Sequence, residues 1–357
     1  MNLESLSVWE SMLRLPESTP HGVVVVLVLV ALYCLVIFPC SLVMSFLERK
    51  LSADLQARIG PNRAGPGGLF QPIVDIFKLL QKRNDTRLAK VNSIWLFMSA
   101  MALYSTVAVL PFGSLALLMD TDMSAFLPFW AISVFTFCTM MMGLQQGNVS
   151  GWFGGLRIAL QAMSGIFPAL IATLCAGIPA GGFRWGQIVA AQGAIPFRWT
   201  ALSSPFGFIA FVVFLISGMV LLAVAPLDGA LSISDIHGGV SAHLSGKNLG
   251  RFRLTRFYGQ FMWCAVTSVL FLGGWILPEF LVNFLRDADS LRVLLIAEIV
   301  ILLIKTFVLM LLIVIFNQVT PRLRVDQTTD LVWRVLSPFA LTALVGMAFW
   351  SVWVRSA

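Results

Sequence analysis

The chain has 357 residues, of which 58% are hydrophobic and only 11% charged, with a net charge of +7. A soluble domain carries about 25% charged residues, so this composition, with a mean hydropathy of +0.88, excludes a soluble globular enzyme and points to a polytopic membrane protein. In such a chain a positive excess reports topology and lipid headgroups, and no nucleic-acid partner is expected.

Spanning a bilayer takes about 20 apolar residues, and eight runs satisfy this. They lie at about residues 22–46, 93–118, 126–144, 158–178, 206–225, 257–277, 293–319 and 335–354. Glu4, Glu10 and Glu17 precede the first run, which is too long for a signal-peptide core, so no cleavable leader is expected. No internal repeat interrupts the pattern, and residues 1–357 read as one all-α membrane domain. All five cysteines lie in apolar runs without a CxxC pair, which argues for buried small hydrophobes rather than disulfides or an iron–sulfur site.

The stretch 47–92 is the most polar part of the first hundred residues. Gly60-Pro61-Asn62-Arg63 and Gly65-Pro66-Gly67-Gly68 break any helix there. Beyond the break, Phe70, Ile73, Val74, Phe77 and Leu80 share one face at helical spacing, and Asp75, Lys78 and Lys82 share the other. With Pro72 tolerated in the first turn, this reads as a short amphipathic helix at a membrane surface or over a cavity.

Lysine and arginine cluster in alternate loops: after the first run, in 226–256 (Lys247, Arg251, Arg253, Arg256) and in 320–334 (Arg322, Arg324, Arg334). By the positive-inside rule these loops are cytoplasmic and both termini face outward.

Charges inside spans are functional candidates. Lys305 lies well inside the seventh run, two helical turns from Glu298, and Arg157 opens the fourth in Gly154-Gly155-Leu156-Arg157. Lys305 and Arg157 read as members of a polar path; Glu298 reads as an interfacial carboxylate. His237 and His243, six residues apart in the third cytoplasmic loop, do not share a helix face, and they read as polar or proton-accessible groups rather than metal ligands. No haem-type histidine pair, Walker loop, GxGxxG or Ser-His-Asp set is present, so no redox centre or nucleophile is expected in this chain, and the chain alone reads as non-catalytic.

The segment from Leu47 to Lys82 resembles the first cytoplasmic loop of the H subunit of NADH:quinone oxidoreductase, the bacterial complex I. Glu48, Arg49, Gln56, Arg58, Gly60, Pro61, Asn62, Arg63, Gly65, Gly68, Asp75 and Lys78 match that pattern. Pro321-Arg322-Leu323-Arg324-Val325-Asp326-Gln327 is similar to the family's PRxRxDQ signature, and Phe271-Leu272-Gly273-Gly274-Trp275 to its FLGGW. The resemblance covers nearly the whole chain. It implies eight spans in a bacterial inner membrane and a chain without its own cofactor. Quinone is implied as substrate where the chain meets the peripheral iron–sulfur arm. Other implied partners are small and antiporter-like membrane subunits and phospholipid.

The resemblance also implies roles. Glu48, Arg49, Gln56, Arg58, Arg63, Phe70, Asp75, Lys78, Arg322, Arg324 and Asp326 would frame the quinone chamber and dock the arm. The amphipathic helix with the first and last spans would frame the chamber's mouth. Arg157, Asp228, Asp235, His237, His243 and Lys305 would make what remains of a coupling path. Much of the family's acidic path is replaced: Leu231, Ile233, His243 and Ile166 stand at glutamate positions, and Arg256 falls near another. An apolar residue cannot relay a proton, so coupling is expected to be altered or lost. A homologous subunit of a hydrogenase-, formate- or ferredoxin-linked complex is the alternative with the same fold, and a stand-alone ion transporter is a weaker one.

Overall fold

A computed structural model describes residues 38–83, 89–111, 113, 121–232, 236–242, 244–277 and 291–356. The described residues are helices joined by turns and short connections. In chain order these are α1 (Phe38–Leu55), α2 (Gln71–Gln81), α3 (Ala89–Ser105), α4 (Leu127–Gln145), α5 (Val149–Ala180), α6 (Trp185–Gln192), α7 (Pro205–Leu221), α8 (Gly246–Phe271), α9 (Leu291–Val319), α10 (Val325–Leu331) and α11 (Ser337–Ser356). Among the described residues four segments are long and apolar enough to cross a membrane: Ser124–Gln145, Val149–Ala180, Ile296–Val319 and Val325–Trp353, with Pro205–Leu221 a shorter apolar helix. Most of the first apolar run lies outside the described residues.

Local chemistry sets the helix ends. Pro128 and Pro205 occupy the first turns of α4 and α7, where a missing N–H costs nothing. The Ser204 hydroxyl caps α7 by accepting from the Gly207 N–H at 3.0 Å. Gly181, at φ +70°, closes α5 in the left-handed conformation that glycine adopts freely. Within the apolar helices, hydroxyls such as Thr136 and Thr173 donate to carbonyls one turn back, so they present no unpaired donor to an apolar environment.

The helices extend beyond the apolar runs. α8 begins at Gly246, eleven positions before the run that starts near 257, so Lys247, Arg251, Arg253 and Arg256 ride on a helix rather than a loop. The connection read at 320–334 is also mostly helical: α10 passes through the π turn Val332–Leu336 into α11. Hydropathy locates apolar segments, whereas backbone hydrogen bonding carries a helix past them.

α5 is the hub. It packs against α4, α7 and α11, while α8 packs against α1, α2, α3, α7 and α9. At the α4–α5 turn the backbones touch: a Cβ at Gly143 would come within 2.9 Å of the Gly155 Cα. Small residues permit this approach where helices meet in lipid. Deeper, the Trp263 ring of α8 stacks on Phe214 of α7 at 4.3 Å and 9°, meets Phe129 of α4 edge-on at 5.7 Å, and donates its indole N–H to the Phe214 carbonyl at 3.1 Å. Gly218 lies against that indole, where a Cβ would collide with it. Gly218→Ala is therefore expected to destabilise the bundle by about 1–3 kcal/mol. Thermal unfolding in detergent should show a lowered midpoint, accompanied by a red-shifted tryptophan emission.

Candidate functional site

The Gly/Pro stretch folds into a compact turn immediately after α1. Gly68, at φ +82°, lies against the Pro61 backbone so closely that a Cβ would collide with it. The two glycine-proline clusters therefore lock together, and the chain reverses from α1 into α2 over about fifteen residues. α2 then crosses α8 at Gly250, where a Cβ would meet the Leu79 Cβ at 3.3 Å.

The orientation of α2 differs from the reading of its spacing. Phe70, Val74, Phe77 and Leu80 do share a face, but that face is exposed. Pro72, Ile76 and Leu79 line the junction with α1 and α8 instead. Asp75, assigned from the helical pattern to the outer polar face, points inward and pairs with Arg49 of α1. The helix has two apolar flanks, so spacing alone picks the wider one, whereas the Arg49 charge decides which flank turns in. Lys78 remains exposed, as do Phe70, Arg58, Arg63, Arg324 and Asp326.

Between α1, the Gly/Pro turn and α8 lies a cleft of about 590 Å³, within the range of small-molecule sites. Glu48, Arg49 and Arg58 of the expected set line it. Ser52, Ala53, Ile59, Arg253, Arg256 and Phe257 complete its walls, and the residue pattern alone does not place them there. The α8 residues could have been found only by knowing that α8 lies against α1. Among the described residues none of α11 lines the cleft, whose walls come from α1, the Gly/Pro turn and α8. Gln56 lies beside it, donating to Gln318 of α9 at 3.0 Å, and Gln318 donates to Ser52 at 2.8 Å.

Arg256 sits at the junction of the cleft with the interior. It donates to the Ala223 carbonyl at 2.7 Å and lies 5.9 Å from the Phe252 ring centroid, while its Nε is buried without a hydrogen bond. Burial disfavours its charge; Asp228 and Glu48 support it, and Arg253 and Arg322 oppose it. Burial pushes Glu48 above the usual carboxylate range, with Arg256 and Arg49 pulling it back and Asp228 adding to the rise.

Asp228 is buried and accepts from Arg322 at 2.7 Å. The Leu323 N–H donates to the Pro226 carbonyl at 3.0 Å. The third loop and the PRLR segment are thus stitched together, and Arg322 is engaged with Asp228 rather than free on a docking surface. The rest of the expected coupling set does not converge on this pair. His237 is exposed on a left-handed turn at φ +50°. Arg157 is half-buried in the third turn of α5. Lys305 donates to the Leu272 and Gly274 carbonyls at 2.8 Å each and lies 4.4 Å from the Trp199 ring centroid. It closes the far end of α8, about 24 Å along the helix from Arg256. Asp235, His243 and Ile233 lie outside the described residues. Gln161, a lone amide in an apolar helix, bridges the Val220 and Leu227 carbonyls. Its polarity in that run was the signal available.

The described residues form an apolar helical bundle with a charged cleft at one end, the architecture of a membrane protein. A family model described as NADH dehydrogenase matches residues 26–348. The H subunit of NADH-quinone oxidoreductase from Chlorobaculum tepidum is 30% identical over 345 residues, covering 93% of both chains. The same subunit of Anaeromyxobacter dehalogenans is 29% identical over 321 residues, covering 86% of this chain and 77% of the relative. Among solved structures, a chain of the membrane-bound sulfane sulfur reductase, an archaeal respiratory membrane complex, superposes with a TM-score of 0.73. It covers 90% of this chain and 98% of that chain at 19% identity, and shows a shared fold. The chain belongs to the NADH dehydrogenase family, which includes the H subunit of NADH-quinone oxidoreductase.

The Arg49–Asp75 pair holds α2 in place. Burial alone would raise the Asp75 carboxyl, but the Arg49 hydrogen bond and charge, with Gln71 and Lys78, hold it below the usual carboxylate range. A depressed carboxyl contributes stability above its unfolded value and loses it as pH falls through the folded one. Acidification below the ordinary carboxylate range is therefore expected to release α2, as is Asp75→Asn at neutral pH. Limited proteolysis within 71–81 should read both, and the exchange Arg49→Asp with Asp75→Arg should restore protection. Both side chains are partly exposed, so the effect is about 1 kcal/mol or less.

Proposed function

We propose that this chain is the membrane subunit of a complex I-like oxidoreductase and that the cleft between α1, the Gly/Pro turn and α8 is the mouth of its quinone chamber. The observation that carries the reading is the cleft itself: five of the twelve residues that carry the resemblance in this segment, Glu48, Arg49, Arg58, Gly60 and Pro61, line it. In this reading the chain has eight spans, counting the first run and α8, with both termini outside and the cleft on the cytoplasmic side. The exposed Arg58, Arg63 and Arg324 face the peripheral arm, where planar guanidinium forks suit carboxylates and carbonyls. Small and antiporter-like subunits flank the bundle, and the exposed apolar face of α2 rests on the membrane interface. Electrons arrive from the arm, and this chain supplies the cavity.

Coupling in this reading is altered. A proton relay needs ionisable groups a hydrogen bond or a bridging water apart. Here the inner end of the cleft meets Arg256, whose charge is fixed at physiological pH, and the one described loop carboxylate, Asp228, is engaged with Arg322.

Filling the cleft tests the assignment. Ala53 is buried in its wall, and Ala53→Trp should lower quinone reduction by the assembled complex at least tenfold, about 1.4 kcal/mol in barrier terms. Native gels should show the assembly intact. Full activity with the indole in place would move the quinone route elsewhere.

A further inference from the structure

The walls of the cleft carry more positive charge than a neutral ligand requires. Arg49 is matched by Asp75, and Glu48 stands against Arg256. Arg58 and Arg253, both exposed side chains on opposite walls, have no acidic counterpart among the residues lining the cleft. Arg256 lines the same cavity and adds its guanidinium to these walls. The remaining walls are apolar: Ala53, Ile59, Pro61 and Phe257. Charge and apolar surface therefore face the same volume from different sides.

We propose that this cleft selects an acceptor bearing an ionised acidic group on a flat apolar body, with Arg253 and Arg256 reading the acidic oxygen and Ile59 and Phe257 covering the ring. The inference rests on the quinone-chamber reading and narrows its substrate class. Arginine fits the role because its delocalised planar cation pairs with a phenolate or carboxylate oxygen and tolerates an aromatic neighbour. The site's position beside α2 and its exposed apolar face gives an amphiphilic ligand an approach from the membrane surface.

The probe pair is 2-hydroxy-1,4-naphthoquinone, an anion at neutral pH, and its uncharged methyl ether 2-methoxy-1,4-naphthoquinone. Binding of each to the assembled complex is measured in nanodiscs of phosphatidylcholine. The acid should bind about tenfold tighter than the ether, the worth of one partly screened charge contact. Arg253→Gln, a change on the exposed face of α8, should remove that preference; Arg256→Gln should do the same if the variant folds. Arg334→Gln, on the surface of the π turn away from the cleft, should leave it intact. Equal binding, or tighter binding of the ether, overturns the preference for an anion and leaves the quinone reading standing. Binding of neither overturns both. A preference that survives both Arg253→Gln and Arg256→Gln overturns the assignment to these residues. Competition in the phosphatidylcholine discs with soluble dihexanoyl-phosphatidylglycerol, against dihexanoyl-phosphatidylcholine as control, separates the two sources of such an acid. Displacement of the naphthoquinone anion by the former alone assigns the cations to a lipid headgroup and overturns the acceptor.

Discussion

A guanidinium placed at the end of an apolar bundle must find anions and carbonyls nearby, and Arg256 imposes that requirement on everything around it. Its hydrogen bond to the Ala223 carbonyl fixes the turn after α7. Glu48 on α1 and Asp228 on the third loop stabilise its charge. Asp228 in turn holds Arg322, which brings the PRLR segment against Pro226. Four stretches far apart in sequence are thereby tied to one point. An unpaired buried charge costs several kcal/mol, so the loss of one member of this set is felt by the others.

Above that cluster the cleft follows from chain geometry. The locked Gly/Pro turn cannot continue α1, so the chain doubles back, and α2 is pinned across α8 by Arg49–Asp75 and by close approach at Gly250. A space remains between the turn and α8 because the turn is too rigid to collapse into it. The rest of the bundle serves as scaffold. The Phe214–Trp263–Phe129 cluster fixes α4, α7 and α8 relative to one another, and Lys305 fastens the opposite end of α8 through two carbonyls.

The sequence carried the helical class and the Gly/Pro break plainly, because apolar runs and helix breakers act locally. Glu48, Arg49 and Arg58, singled out by their match to a family pattern, line the cleft. Other features depend on tertiary contact. Asp75 read as outward-facing because α2 has apolar residues on both flanks, and only Arg49, twenty-six positions away, turns the carboxylate inward. Hydropathy puts Arg253 in a loop and Phe257 in a span, whereas both are cleft walls because α8 starts at Gly246. Lys305 looked like a step in a polar path because a charge in an apolar run is a functional signal by default. Its partners are backbone carbonyls that no residue pattern announces. Arg322 is given a docking role by the resemblance alone, and its partner Asp228, ninety-four positions away, is equally invisible in the residue pattern.

In the proposed reading the cleft is kept while the relay behind it is altered, with the fixed cation of Arg256 at its inner end and Asp228 engaged with Arg322. The most direct test is respiratory control. The purified complex is reconstituted in sealed vesicles, and its electron-transfer rate to quinone is recorded before and after an uncoupler, with internal pH followed in parallel. Little change in rate is expected on uncoupling, with little internal acidification or alkalinisation per electron. A rate that rises severalfold on uncoupling, with a pH change that the uncoupler collapses, would contradict it.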